Sequence, residues 1–213
     1  TRYLAGSLNR TGLFDMCVIS EGGRQDDTFP VYDVYSRNGD YRRDIIKKIA
    51  EIKPDVIHIQ HALVLFPNTR EFLKMLAEIS QMNIRFFVTL HTADIGKNNR
   101  IDWELFYRTV LEHGSIIIHN EMCLNSIRHY DLPTEKVHII PHGTAFLELP
   151  DRIQARNKLE LPADEFIFLI LGFIHLLKNH HTVIAAFRTM KTERKCRLLI
   201  AGMADQNKWY NRL

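Results

Sequence analysis

Runs of consecutive apolar residues alternate along this chain with stretches in which apolar residues recur every three or four positions. Runs of the first kind are typical of buried β-strands, and stretches of the second kind are typical of amphipathic helices. The pattern predicts strands at residues 14–20, 31–35, 55–60, 84–90, 115–119 and 137–140. It predicts helices between them at residues 41–52, 67–82, 102–112 and 120–130. Strands that are apolar on both faces and joined through helices form covered parallel sheets, so we predict an α/β protein.

The same pattern lapses at about residues 144–151 and then begins again. The second part of the chain is predicted to contain a helix at 152–159, a strand at 166–171, a helix at 179–190 and a strand at 197–201. We therefore expect two units, one over residues 1–149 and the other over residues 150–213. The second unit has too few residues for a typical domain, so we expect it to be incomplete.

The composition is that of a globular protein, with 213 residues of which 46% are apolar and 25% are charged. Lys and Arg number 28 against 25 Asp and Glu, a net charge of +3. So small a basic excess argues against a nucleic-acid binder and leaves room for a small anionic ligand. The three cysteines, Cys17, Cys123 and Cys196, lie far apart in the sequence. We interpret them as free thiols in a reducing, cytoplasmic compartment.

The segment Gly172–Asn179 follows a strongly apolar predicted strand and precedes a predicted helix. Gly172 would allow a ligand to approach the backbone closely, and Lys178 would add a positive charge at the start of the helix. This arrangement predicts an anion site. The alternative is that Gly172 is only a turn residue and Lys178 only an exposed lysine. Neither the GxGxxG nor the GxxxxGK[ST] nucleotide-binding motif is present.

Several histidines lie where predicted strands end. Ligands of open α/β sheets bind beyond the carboxyl ends of the strands, so His91 is a candidate to relay a proton or hold a sugar hydroxyl. The alternative is a histidine bonded to loop backbone. His61 is a candidate to line the same cleft. His58 and His61 are not predicted to bind a metal together, because strand side chains alternate between faces.

Two further segments also end predicted strands. His119-Asn120-Glu121 is interpreted as a helix cap, with Asn120 as the N-cap residue. Pro141-His142-Gly143 ends the last strand of the first unit, where Gly143 is predicted to supply an unusual backbone angle and is a candidate to admit a ligand. No order of Ser, His and Asp and no Cys-His pair indicates nucleophilic catalysis.

An ordered series of segments extends over nearly the whole chain: PDVIHIQH, FFVTLHT, SIIIHNEMCLNSI, KVHIIPHGTA, FIFLILGFIHLLKNHHTVIAAF and CRLLIAGMAD. This series resembles the group 1 (family 4) retaining glycosyltransferases of the GT-B fold. The resemblance implies two Rossmann-like domains that face each other across a cleft. The first holds mainly the acceptor and the second mainly a nucleotide-sugar donor. The family's glycine-rich loop would precede Thr1, and its Glu-x7-Glu motif would follow Leu213.

The resemblance also implies roles for individual residues. Gly172 and Lys178 match the family's diphosphate-binding glycine and lysine, but Phe173 stands where the family has arginine. His91 matches the histidine beside the donor sugar, which implies a catalytic role. His142 stands where the family has the asparagine of Pro-Asn-Gly. The fold implies no cofactor and no metal, because cations and a helix end stabilise the leaving diphosphate.

The function that the resemblance implies is retaining transfer of a sugar from a nucleoside-diphosphate sugar to a glycan or lipid-linked acceptor. It implies a cytoplasmic protein, with peripheral contact to a membrane left open. We also expect self-association, because a truncated second domain exposes apolar surface. Two alternatives remain open: a non-catalytic binding or partner subunit of the same fold, which Phe173 favours, and a nucleotide-sugar epimerase.

Overall fold

The computed structural model describes residues 2–23, 25–91, 101–144, 147–174 and 178–203. It divides into two compact units, residues 1–145 and residues 146–213. We describe each unit separately.

Helices and strands alternate along most of the first unit, although its first two strands follow one another directly. Its helices are α1 (Arg2–Arg10), α2 (Tyr41–Ile52), α3 (Thr69–Gln81), α4 (Trp103–His113) and α5 (Glu121–Arg128). Its strands are β1 (Val18–Ser20), β2 (Val31–Asp33), β3 (Val56–His61), β4 (Arg85–Leu90), β5 (Ser115–Ile118) and β6 (Val137–Ile139). The prediction that a strand begins at residue 14 is wrong, because only Val18–Ser20 pair with a neighbouring strand.

Four of these strands form one parallel sheet in the order β3-β4-β5-β6. Strands β1 and β2 form a separate parallel pair. In the larger sheet, Thr89 of β4 lies beside Gln60 of β3 on one side and beside Ile117 of β5 on the other. Ile117 in turn pairs with His138 of β6. Each strand of the larger sheet is joined to the next through a helix, the usual connection between parallel strands, so the predicted parallel α/β class is confirmed.

Short polar side chains fix where the helices of this unit begin. Asp40, Asn68, Asp102 and Asn120 each accept a hydrogen bond from a backbone N–H in the first turn of α2, α3, α4 and α5 respectively. Such caps satisfy amides that have no partner within the helix. The predicted N-cap role of Asn120 is therefore confirmed, with its Oδ1 3.0 Å from the Cys123 amide.

The core of the first unit lies between the sheet and its helices. Helix α3 buries Phe72, Met75, Leu76 and Ile79, which recur at helical spacing on one face. Helix α4 contributes a second apolar face, and alternate residues of the central strands complete the core. A smaller cluster packs α1 against the β1-β2 pair. This packing fixes the four-stranded sheet, and with it the positions of its carboxyl ends.

The second unit contains α6 (Arg152–Lys158), β7 (Phe166–Leu171), α7 (His180–Thr189) and β8 (Cys196–Ala201). Strands β7 and β8 pair in parallel. Leu169 and Leu171 of β7 are 56% and 75% exposed. Exposed leucines on a strand are consistent with the expected self-association, which stays a prediction. Cys17, Cys123 and Cys196 are free thiols. Among the described residues, no helix has the length and apolar character needed to cross a membrane.

Candidate functional site

A histidine stands at or just beyond the carboxyl end of each strand of the four-stranded sheet. His61 is the last residue of β3, His91 follows β4, His119 follows β5, and His142 comes three residues after β6. The carboxyl ends of neighbouring parallel strands lie at one edge of a sheet, which is where open α/β sheets bind ligands. The fold therefore gathers at this edge residues that are up to 81 positions apart in the sequence.

The register of the sheet decides which of these histidines meet. Thr89 and Ile117 are paired neighbours, so the residues two positions further on, His91 and His119, are directed to the same face. The ring centroids of His91 and His119 are 5.2 Å apart. His142 stacks on His119 with centroids 3.6 Å apart and lies 5.6 Å from His91. One ring nitrogen from each of the three lies within 4.8 Å of the others. We call these three residues the histidine cluster.

A chain of hydrogen bonds along the same face of the sheet orients His91. The Gln60 side-chain oxygen lies 2.8 Å from His91 Nε2, and its nitrogen lies 3.1 Å from His58 Nε2. The Thr89 hydroxyl is 2.6 Å from the same His58 nitrogen. An amide oxygen can only accept a hydrogen bond, so His91 Nε2 carries the proton and the lone pair of the neutral ring is on Nδ1.

His119 is held in a similar way by the neighbouring strand. Its Nδ1 lies 2.9 Å from the backbone carbonyl oxygen of Ile140 and donates to it. Its Nε2 therefore carries the lone pair. This nitrogen is buried and has no hydrogen-bond partner among the residues described.

The electrostatic environment favours the neutral form of the His91 ring. Desolvation, and to a smaller extent the neighbouring His119 and His142, lower the pKa of His91. A neutral imidazole presents one donor and one acceptor, so it can bond a hydroxyl group, relay a proton or ligate a cation. His91 and His142 are exposed, and a ligand can therefore reach them.

The side chain of His61 does not belong to this exposed site. Its ring is fully buried, with its centroid 4.5 Å from that of Phe72 and 5.0 Å from that of Phe106. The expectation that His61 lines a cleft with His91 is thus corrected. His61 lies one position out of phase with Gln60, so it points to the opposite, helix-covered face. Only its backbone meets the site, through the His91 N–H bonded to the His61 carbonyl at 3.0 Å.

The segment Pro141-His142-Gly143 contributes the His142 side chain to the site, but Gly143 does not adopt an unusual backbone conformation. Gly143 does not have a positive φ, so the prediction of an unusual backbone angle there is wrong. A Cβ added at Gly143 would meet nothing within 4 Å among the residues that the structure describes. The backbone of Gly143 is therefore open there, whereas the His142 ring is stacked on that of His119.

In the second unit, the predicted anion loop follows β7. Gly172 has a φ of +126°, which residues with a Cβ rarely adopt. A Cβ on Gly202, at the end of β8, would lie 1.7 Å from the Gly172 carbonyl oxygen, so the two strand ends approach too closely for a side chain there. Phe173 is 62% exposed.

The positive charge of this loop is available to a ligand. Lys178 is exposed and forms no ion pair within the described part of the chain. Asn179, the N-cap residue of α7, has a φ of 53° and makes no side-chain capping bond. The first amides of α7 are therefore not capped by that side chain.

Sequence reasoning missed the role of His119, which was interpreted only as part of a helix cap. The available signal was that VIHIQH, VTLH, SIIIH and IIPH each end in histidine. Neighbouring parallel strands bring such ends together. A shallow depression lies instead at the amino ends of β3 and β4, lined in part by Lys53, Asn83 and Arg85. It contains none of the predicted site residues.

Residues 17–145 match the model of the family described as Glycosyltransferase Family 4. No curated protein sequence matches the chain. Among solved structures, the chain is similar to the Anabaena protein Alr3699/HepE, determined in complex with UDP. The TM-score is 0.58 at 14% sequence identity, and the match covers 84% of this chain and 49% of that one. The chain thus spans about half the length of HepE, and the likeness shows a shared GT-B-type fold.

Proposed function

The chain belongs to glycosyltransferase family 4, and on that premise we propose that it transfers a sugar from a nucleoside-diphosphate sugar to an acceptor with retention of configuration. The family match covers the sheet that carries the histidine cluster. The fold shared with HepE, which was solved with UDP, supports a nucleotide as the carrier of the sugar. We extend the proposal to the assembly of glycans or glycolipids, with a glycan or lipid-linked acceptor.

The observation that carries the proposal is the placement and state of His91. The residue follows β4 at the carboxyl edge of the sheet, its ring is exposed, and Gln60 fixes its Nε2 as the protonated nitrogen. Its lowered pKa keeps the ring neutral near pH 7. A neutral ring with a free Nδ1 can accept a hydrogen bond from a sugar hydroxyl without adding positive charge near the reacting carbon. That property suits a reaction in which the sugar itself becomes positively charged.

The loop after β7 is the part that we assign to the diphosphate. Sugar transfer places negative charge on the departing diphosphate, and groups that meet this charge stabilise the transition state more than the ground state. Lys178 is exposed and forms no ion pair with the described residues, and none of these residues comes within 4 Å of a Cβ built at Gly172, which supports room for a phosphate there. The N-terminal end of α7 adds the positive end of a helix dipole.

One observation favours a second candidate, a non-catalytic subunit of the same fold. Phe173 is exposed at the position where the family has an arginine, so one positive charge for the diphosphate is missing. We expect Phe173→Arg to tighten binding of the donor if the site is only weakened. Unchanged binding would favour the non-catalytic subunit. Binding of the donor to the two proteins can be compared by calorimetry.

The proposal is tested first by binding. UDP-, GDP- and ADP-sugars are added to the complete protein, and the thermal unfolding midpoint is followed, because a ligand of the native state raises it. We expect one nucleotide class to raise the midpoint. The rise should be lost in Lys178→Ala and kept in Lys191→Ala, which removes another exposed lysine of the second unit.

Transfer itself is tested with the donor that binds. The anomeric configuration of the product, read by NMR, distinguishes retention from inversion. His91→Ala should reduce transfer strongly while leaving the thermal midpoint of the ligand-free protein nearly unchanged, since the ring is exposed. Absence of both stabilisation and transfer with every donor, measured on the complete protein, would refute the proposal. If Lys178→Ala and Lys191→Ala reduced the thermal stabilisation by the donor equally, the assignment of Lys178 would be refuted.

A further inference from the structure

The histidine cluster has properties that sugar transfer does not require. Three imidazoles from three neighbouring strand ends meet, with one nitrogen of each within 4.8 Å of the others. His119 and His142 stack with centroids only 3.6 Å apart. Imidazole nitrogens are good ligands for transition metals, and the group contains no carboxylate that would favour magnesium or calcium.

The hydrogen bonds around the cluster prepare two of its rings as ligands. A metal-binding histidine usually donates its other N–H to a carbonyl, which fixes the tautomer and the orientation of the ring. His119 does this through Nδ1 to the Ile140 carbonyl at 2.9 Å, and His91 does it through Nε2 to the Gln60 side-chain oxygen at 2.8 Å. The remaining nitrogen of His119 is buried and has no partner among the described residues. The lone pair of this nitrogen is therefore available to a ligand.

The three imidazole nitrogens must move slightly closer together to bind one metal ion. Zinc–nitrogen bonds of about 2.0–2.1 Å at a tetrahedral centre separate ligand nitrogens by about 3.3 Å. The three nitrogens lie within 4.8 Å of one another, so each pair would have to approach by at most about 1.5 Å to bind one ion. His91 and His142 are exposed, and no atom crowds a Cβ built at the neighbouring Gly143 within 4 Å. Because His142 already stacks on His119, its ring must tilt out of the stack for both lone pairs to point at one ion, and the exposed side of His142 leaves room for that movement.

We propose that His91, His119 and His142 bind a divalent transition-metal ion of the zinc class, with the fourth position open to water. The solvent-exposed side of the cluster supplies that fourth position, as in sites with three protein ligands. Gln60 acts as a positioning residue, because its oxygen fixes the tautomer of His91. This site goes beyond the proposed function and departs from the sequence-based expectation of no metal. Its third ligand, His142, is also one of the two residues named above at which the chain departs from the family pattern.

Calorimetric titration with Zn²⁺ tests the site on the protein as it stands. We expect one ion per chain. His142→Asn should weaken the affinity about 10-fold or more, since even loss of an outer-shell partner typically costs that much. The matched control is His138→Asn, which removes another exposed histidine from the same strand region and should leave the affinity unchanged. This control matters because the chain has 11 histidines, any of which can bind zinc weakly.

Co²⁺ gives a second readout that separates a built site from scattered surface binding. Bound Co²⁺ reports its coordination in the visible spectrum, and we expect a four-coordinate spectrum that disappears in His142→Asn. Gln60→Leu should weaken Zn²⁺ binding about 10-fold and alter the Co²⁺ spectrum, whereas a merely structural role would leave the spectrum unchanged. Equal Zn²⁺ affinities in His142→Asn and His138→Asn, or no saturable binding in the unmodified protein, would overturn the proposal.

Discussion

The buried ring of His61 makes the stability of the first unit depend on pH. The ring is fully enclosed, with Phe66, Phe72 and Phe106 as its aromatic neighbours. Desolvation is the main cause that lowers its pKa from 6.5 to about 4, and the nearby His91 adds a smaller effect. Protonation therefore favours the unfolded chain, in which the ring is hydrated.

The size of this pH effect on stability follows from the pKa values of His61 in the unfolded and the folded chain. The stabilising effect of the neutral ring is fully present above pH 6.5 and is lost as the pH falls toward 4. With about 1.4 kcal/mol for each unit of pKa, the complete loss is about 3 kcal/mol, of which about 2 kcal/mol falls between pH 7 and pH 5. His61→Leu removes this contribution, because leucine is of similar volume and does not titrate.

The assay is chemical denaturation of both proteins at pH 7, 6 and 5. The unmodified protein should lose about 2 kcal/mol more of its unfolding free energy over this range than His61→Leu does. Other groups that titrate, including His91, are present in both proteins, so their contributions cancel in the difference. If the two proteins lost stability in parallel, His61 would not be the buried titrating group and the reasoning would be refuted.

Two further predictions concern packing and capping in the same unit. Gly114→Ala should destabilise the fold by about 1–3 kcal/mol, because the new Cβ would lie 2.3 Å from the buried Phe86 ring, whereas Gly39→Ala should have little effect. Asp102→Ala should lower the free energy of unfolding by about 1 kcal/mol, because the Asp102 carboxylate accepts a hydrogen bond of 2.9 Å from the Leu105 amide at the start of α4. Asp102→Asn keeps a capping oxygen and should retain most of this stability. Urea denaturation measures each effect. An Ala variant as stable as its control would contradict the corresponding contact.

Much of the fold could be predicted from local sequence. The bounds of α2 and β7 agree with the predicted residues. Helical spacing and an N-cap residue define α2, and an unbroken apolar run defines β7. The start of β1 was missed because residues 14–17 are apolar in part yet have no strand beside them. Pairing partners are a property of the tertiary structure and leave little trace in a short run.

The candidate site was only partly predictable for a related reason. His91 stood out because it follows a strand directly, but His119 and His142 acquire their meaning from the β4-β5-β6 register, which brings their rings into contact. His61 shows the opposite failure. It follows the same sequence signal as His91, yet an offset of one position from Gln60 buries it in the core.

The two proposals share His91, and this gives them a thermodynamic link that can be measured. Ligands that need the same ring compete, so saturating Zn²⁺ should reduce the thermal stabilisation by the nucleotide sugar, and the donor should reduce Zn²⁺ affinity by the same factor. His142→Asn should require higher Zn²⁺ concentrations for the same competition while keeping the donor effect, because it removes a zinc ligand and supplies the residue that the family has there. If Zn²⁺ bound through the cluster and left donor stabilisation unchanged, His91 would serve the metal but not the sugar. The proposed role of Lys178 in binding the donor would then rest on the Lys178→Ala comparison alone.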